Sequence, residues 1–112
     1  MGTEPSLPEG NSQPDKQEQE APQQLFPLGQ VVATPGAIEA MQEAQQDPLQ
    51  LLYRHVTGDW GELDEEDKAE NEFSVQRGFR ILSAYTLVTE VKIWLITEAD
   101  RSVTTFLLPS EY

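Results

Sequence analysis

One histidine, His55, and a scatter of hydroxyls and carboxylates are the groups in this 112-residue chain whose types could do chemistry. A nucleophilic set would be built around His55. Asp59 or Asp100 would orient the ring, and Ser74, Ser83 or Ser102 would attack. No Gly-x-Ser-x-Gly elbow is present to hold such a serine. His55 falls in the last turn of an expected helix, where an imidazolium is favourable against the helix dipole. That structural role is the expectation. A second set is Glu98, Asp100 and Arg101, a carboxylate pair beside a guanidinium. It holds the parts of acid–base work with an anion clamp. Asp, Ser and Arg are equally ordinary in a turn, and a turn is expected there. His55, Glu98, Asp100 and Arg101 therefore stand only as candidates for a metal-assisted hydrolase, and no catalytic residue is assigned.

The run from Asp59 to Glu72 holds eight acids against one base, Lys68. A calcium loop of the EF-hand type needs oxygen ligands at its first, third, fifth and twelfth positions and glycine at the sixth. Counted from Asp59, the third position is Gly61 and the fifth Leu63. Counted from Asp64, the fifth is Lys68 and the sixth Ala69. Both registers fail. A lone histidine cannot supply the paired ligands of a zinc protease site, and the chain has no cysteine. No metal and no cofactor is expected. What remains is a solvated acidic face or a face for a protein partner. Trp60, between Asp59 and Gly61, is a plug on the core or an anchor for that partner. The candidate partner-binding set is Trp60, Asp64, Glu65, Glu66, Asp67 and Glu70.

These groups need elements to hold them. Residues 1–24 carry Pro5, Pro8, Pro14 and Pro22, five glutamines and five acids, with Met1 and Leu7 the only aliphatic side chains larger than alanine. Such a segment cannot offset an ordering cost of roughly 1–2 kcal/mol per residue, so a disordered acidic arm is expected over 1–24. Residues 25–112 read as one domain. Gln30–Ala33 is a short β-type run. Thr34-Pro35 and Asp47-Pro48 are helix starts, each a cap followed by proline at the first position. Ala37, Ile38, Met41 and Ala44 would form the apolar stripe of the first helix. Leu49, Leu52, Tyr53 and Val56 would form that of the second, closed by Gly58. Asp64 caps a third, acidic helix, with Ala69 and Phe73 as its thin apolar stripe and Gly78 as its stop. Runs over 79–87, 92–97 and 103–108 read as strands joined by short turns. The expected fold is α+β in two layers: a short N-terminal strand, two to three helices, then a three-stranded antiparallel meander.

The formal charge of −13 argues against direct nucleic-acid binding, which needs a surplus of Lys and Arg, and against an anionic membrane surface. Apolar runs of only a few residues cannot span a bilayer. Met1 to Pro5 has no basic n-region leading to an apolar stretch. A soluble cytoplasmic protein is the expectation. No Gly-rich phosphate loop and no internal repeat is found.

The segments FPLGQVVATPGA (26–37), RHVTGDWG (54–61), ITEADRSVTT (96–105) and LPSEY (108–112) together resemble a family of small bacterial proteins carried on chromosomes, plasmids and other mobile elements. Its members often bear the label of type I restriction endonuclease subunit M. The resemblance covers residues 25–112 and implies a bacterial setting and a compact domain. It carries over no catalytic residue, because an adenine methyltransferase needs a Gly-rich cofactor loop and an Asn-Pro-Pro-aromatic motif that this chain lacks. The expectation is a small acidic non-enzymatic protein-interaction module, accessory to a mobile element or restriction-type system. The rival reading is a DNA mimic whose spaced carboxylates stand in for phosphates and block a DNA-binding protein.

Overall fold

Each helix starts where a side-chain oxygen meets a free backbone N–H. In the computed structural model, which describes residues 23–112, helix α1 is Pro35–Ala44 and the Thr34 hydroxyl accepts from the Ala37 N–H at 3.1 Å. Helix α2 is Pro48–Val56, and the Asp47 carboxylate accepts from the Leu49 N–H at 2.9 Å. Helix α3 is Glu65–Arg77, where Asp64 accepts from the Asp67 N–H at 2.8 Å and Gly78 closes the far end in the left-handed conformation. Each such cap is worth about 1 kcal/mol, and all three sit at the residues expected from sequence. Of the arm expected over 1–24, residues 1–22 lie outside the described residues. At Leu25 the chain is anchored: its N–H donates to the Val56 carbonyl at 2.8 Å.

Four strands form one mixed sheet: β1 (Gln30–Ala33), β2 (Ile81–Thr86), β3 (Lys92–Thr97) and β4 (Val103–Leu107), in the order β1-β4-β3-β2. The last three run antiparallel in sequence, with β3 inside. Over the described residues the fold is thus α+β, with three α-helices and a four-stranded mixed sheet. The expected meander of three strands understates the sheet, because β1 joins it. β1 pairs parallel to β4, with Gln30 opposite Val103 and Ala33 opposite Phe106. A meander leaves one edge of its last strand unpaired, and the Val31-Val32 run fills it. Parallel pairing needs a long crossover, which the three helices and two other strands provide.

The helices cover one sheet face. Ala37, Met41, Leu51 and Leu52 pack on Tyr85, Ile93, Leu95 and Phe106, while Phe26, Val56, Trp60 and Ile81 form a second buried group. Burying a side chain of this size stabilises by roughly 1.5–3 kcal/mol. On α1 the expected Ile38 is exposed, and Ala40 is buried in its place beside Ala37 and Met41. The expected face of α2 is rotated. Leu52 and Val56 are buried as expected, but Leu49 and Tyr53 are 69% and 54% exposed, and the inward positions are Leu51, Leu52, His55 and Val56. On α3 the expected stripe also fails. Phe73 is exposed and stacks on Phe79, Ala69 is exposed, and the buried residues are Asn71 and Ser74.

Asn71 explains why polar atoms face inward there. Its Nδ2 donates to the Leu82 carbonyl at 2.6 Å and its Oδ1 accepts from the Leu82 N–H at 3.2 Å. The side chain thereby seals the outer edge of β2. Two residues on, the backbone of Trp60–Glu62 does the same: Ala84 N–H donates to the Trp60 carbonyl at 3.1 Å and Glu62 N–H to the Ala84 carbonyl at 2.7 Å. This approach requires glycine at 61. Its φ is +78°, and a Cβ there would lie 1.9 Å from the Ala84 carbonyl oxygen. The β3–β4 turn contains no glycine, and Arg101 itself takes φ 61°.

Candidate functional site

The polar groups that sequence singled out fall into two places, and the first is inside the protein. His55 is wholly buried. It is boxed edge-on by Phe26 and Trp60, whose ring centroids lie 5.2 and 6.2 Å away. Its Nδ1 is 2.6 Å from Ser83 Oγ and its Nε2 is 2.9 Å from Thr97 Oγ1. Thr97 Oγ1 is 2.7 Å from Thr104 Oγ1, and Thr104 Oγ1 donates to the Leu28 carbonyl at 2.7 Å. Ser83, Thr97 and Thr104 are also wholly buried.

Each hydroxyl owns one proton, so the direction of this chain is determined. Thr104 donates to Leu28, which leaves Thr97 to donate to Thr104. Thr97 can then only accept from His55, so Nε2 carries the imidazole proton. Nδ1 is an acceptor, and Ser83 donates to it. Every polar atom in the row is satisfied by a neutral ring. Burial pushes the His55 pKa down to about 3, and among the described residues no carboxylate bonds to the ring to favour the imidazolium. The expected His⁺ at a helix terminus is corrected accordingly: the ring points inward and stays uncharged.

Of the nucleophilic set, the structure unites His55 with Ser83 and with none of the others. The Ser83–His55 contact has the donor direction of a nucleophile and its base. Ser83 is sealed from solvent, however, and a threonine occupies the place of an orienting acid. Asp59 instead accepts from Arg54 Nε at 2.7 Å, and that hydrogen bond holds its carboxyl below the usual range. The row spans β2, α2, β3, β4 and the segment before β1, so its chemistry is that of a lock between elements.

The second place is the β3–β4 turn. Arg101 is no anion clamp, because its guanidinium is occupied. Nη1 donates to the Phe79 carbonyl at 2.7 Å and the Glu98 carbonyl at 3.1 Å, and Nη2 to the Ser74 carbonyl at 2.9 Å. It fastens the turn to the C-terminal end of α3, where cation–dipole attraction assists. The same guanidinium lies 5.6 Å over the Phe26 ring. Glu98 pairs with Arg80 at 3.7 Å. Asp100 is exposed and accepts from the Ser102 N–H at 3.0 Å, and its pKa is lowered by Ser102. Neither carboxylate bonds to His55. Among the described residues no three His, Cys, Asp or Glu side chains gather to hold a metal ion.

Trp60 is a plug. It is 3% exposed, and its indole N–H donates to Glu72 at 2.9 Å. It leaves the candidate partner set, because an anchor must reach solvent. Asp64, Glu65, Glu66, Asp67 and Glu70 are all exposed on α3, with Lys68 3.7 Å from Glu65. Thr97, Thr104 and Asn71 were missed from sequence. The usable signal was phase: Ser83 and Thr97 occupy the same alternating positions as Ile81, Tyr85, Ile93 and Leu95, which face the helices.

Among the described residues no helix is long and apolar enough to cross a membrane. Comparison with protein-family models, curated proteins and solved structures finds no match to this chain.

Proposed function

We propose that this chain is a small non-enzymatic protein-interaction module that presents the outer side of α3 to a basic protein partner. The observation that supports it is a division of labour on that helix. Its inner side is held by Asn71, Ser74 and the Trp60–Glu72 bond, while Asp64, Glu65, Glu66, Asp67 and Glu70 project into solvent over two turns with one cation among them. A helix so fixed offers a pre-organised row of charge, which steers a complementary partner. Of the candidate catalytic groups, His55 and Arg101 are meanwhile committed to internal bonds. The bacterial mobile-element or restriction-type setting implied by the sequence resemblance is part of the same proposal.

The test is affinity capture from a bacterial lysate in a salt series, using the wild-type chain and a Glu65→Lys/Glu66→Lys/Asp67→Lys variant of unchanged circular dichroism. A partner held by the wild type, lost in the variant and released steeply by salt supports the reading. A variant that keeps every partner refutes it. Capture confined to DNA-binding proteins that duplex DNA displaces would favour the DNA mimic instead.

A further inference from the structure

The two edges of the sheet are treated differently. Beyond β2, Asn71 and the Trp60–Glu62 backbone occupy the outward N–H and C=O groups of Leu82 and Ala84. Beyond β1, no described residue does so. Gln30 and Thr34 donate to the Ser102 and Phe106 carbonyls of β4. By the alternation of a strand, the N–H and C=O of Val31 and Ala33 therefore point away from the sheet. Beside them lies a groove of about 470 Å³, lined chiefly by Val31, Ala33, Ile38, Met41 and Phe106. Val31, Val32 and Ile38 are 42%, 37% and 44% exposed. Such an edge is a template for another strand.

Charge selects the occupant. From Ala21 to Ile38 the sequence holds no charged residue, in a chain of net charge −13. The groove adds three glutamines, Gln42, Gln45 and Gln46, and one carboxylate, Asp47, which is engaged by the Leu49 N–H. Glu111, at the α1 end of the strand, is bound to the Thr34 hydroxyl and to the Gly36 and Leu108 N–H groups. A basic peptide would find no free counter-charge here. A second copy of this acidic chain meets itself here without setting carboxylates face to face.

We infer that β1 is a self-association edge, at which two copies pair their β1 strands antiparallel about a two-fold axis through Val32. The spacing suits that symmetry. Val31 of one copy lies opposite Ala33 of the other, and each such pair exchanges two N–H···O bonds, four in all by ladder geometry. Val32 faces Val32 across the axis as the close, non-hydrogen-bonded pair. Val31 and Ala33 share the helix-side face with Phe106, so the incoming strand brings its own Val31 and Ala33 toward the groove. Contact of this kind is isologous.

Sedimentation equilibrium of the full chain tests it, with the mass expected to rise from 12.6 kDa towards twice that value as concentration increases. Val32→Glu and Val32→Lys, at a surface position, each place like charges in direct opposition. Each is expected to weaken the dimer by about tenfold or more. Mixing the two variants is expected to restore a heterodimer, which also shows that both are folded. Amide exchange at Val31 and Ala33 is expected to slow only at dimer-forming concentrations. A chain that stays monomeric into the millimolar range overturns the inference, and so does a dimer indifferent to both charges. Protection of those two amides at every concentration also overturns it, because the edge would then be covered within one chain.

Discussion

Holding a neutral imidazole in a sealed row of hydroxyls makes the stability of this protein depend on pH in a calculable way. In the folded chain the His55 pKa is about 3, against 6.5 for the free side chain. The folded pKa is the lower one, so below pH 6.5 the unfolded chain takes up a proton that the folded chain refuses. The contribution is therefore complete above pH 6.5 and is lost as pH falls, until the folded state also protonates near 3. Linkage gives a slope of about 1.4 kcal/mol per pH unit over that window. Between pH 7 and pH 4 the loss comes to about 3 kcal/mol, a large share of a small domain's stability. Exposed carboxylates add their own pH dependence, so the comparison must be differential. Urea unfolding of wild type and His55→Gln at pH 7, 6, 5 and 4 isolates the ring. The variant is expected to be less stable at pH 7, and the gap should close by about 3 kcal/mol at pH 4. Because this is the sole histidine, an NMR titration of its ring protons gives the folded pKa directly. Parallel pH profiles for the two proteins, or a ring that titrates near 6.5, would refute the sealed environment that keeps the ring neutral.

Other outcomes follow from single contacts. Ser83→Ala leaves His55 Nδ1 buried without a donor and should cost about 1–3 kcal/mol in denaturant unfolding. Asn71→Ala strips both partners from the Leu82 backbone and should cost a similar 1–3 kcal/mol, with faster exchange of the Leu82 amide as its local signature. Arg101→Gly removes the guanidinium but relaxes the φ of 61°, so it should destabilise less than Arg101→Ala, by about 1 kcal/mol. Trp60→Ala opens a cavity between α2 and α3 and should cost about 3–5 kcal/mol, read as a lowered urea midpoint.

The sequence displayed its boundaries better than its faces. Thr34, Asp47, Asp64 and Gly78 act through bonds to neighbours within a few positions, so their chemistry is local and readable. The inward face of α2 depends on what lies opposite. His55 counts as polar in any periodicity, yet here it is an interior residue because Ser83 and Thr97, far along the chain, satisfy both nitrogens. Asn71 is hidden from periodicity for the same reason, since its value comes from the strand edge it closes. Parallel pairing of β1 with β4 joins segments about seventy positions apart, with Gln30 opposite Val103, and no local pattern carries that information. Of the candidate site, the tie between His55 and Ser83 is one that residue types alone suggest. The burial of Trp60 and the engagement of Arg101 by carbonyls required three dimensions.

The closure of the β2 side by Asn71 and a loop backbone has a bearing on solubility. A sheet open at both margins can add copies without limit and grow into a fibre. With one margin capped, strand-to-strand addition at the other can occur only once, and the product exposes no fresh template. An aliphatic Val31-Val32 border that would be hazardous in an uncapped sheet is thereby made safer by Asn71 and the Trp60–Glu62 backbone on the opposite flank. Replacing that asparagine would put at risk the finite size of whatever the protein assembles into.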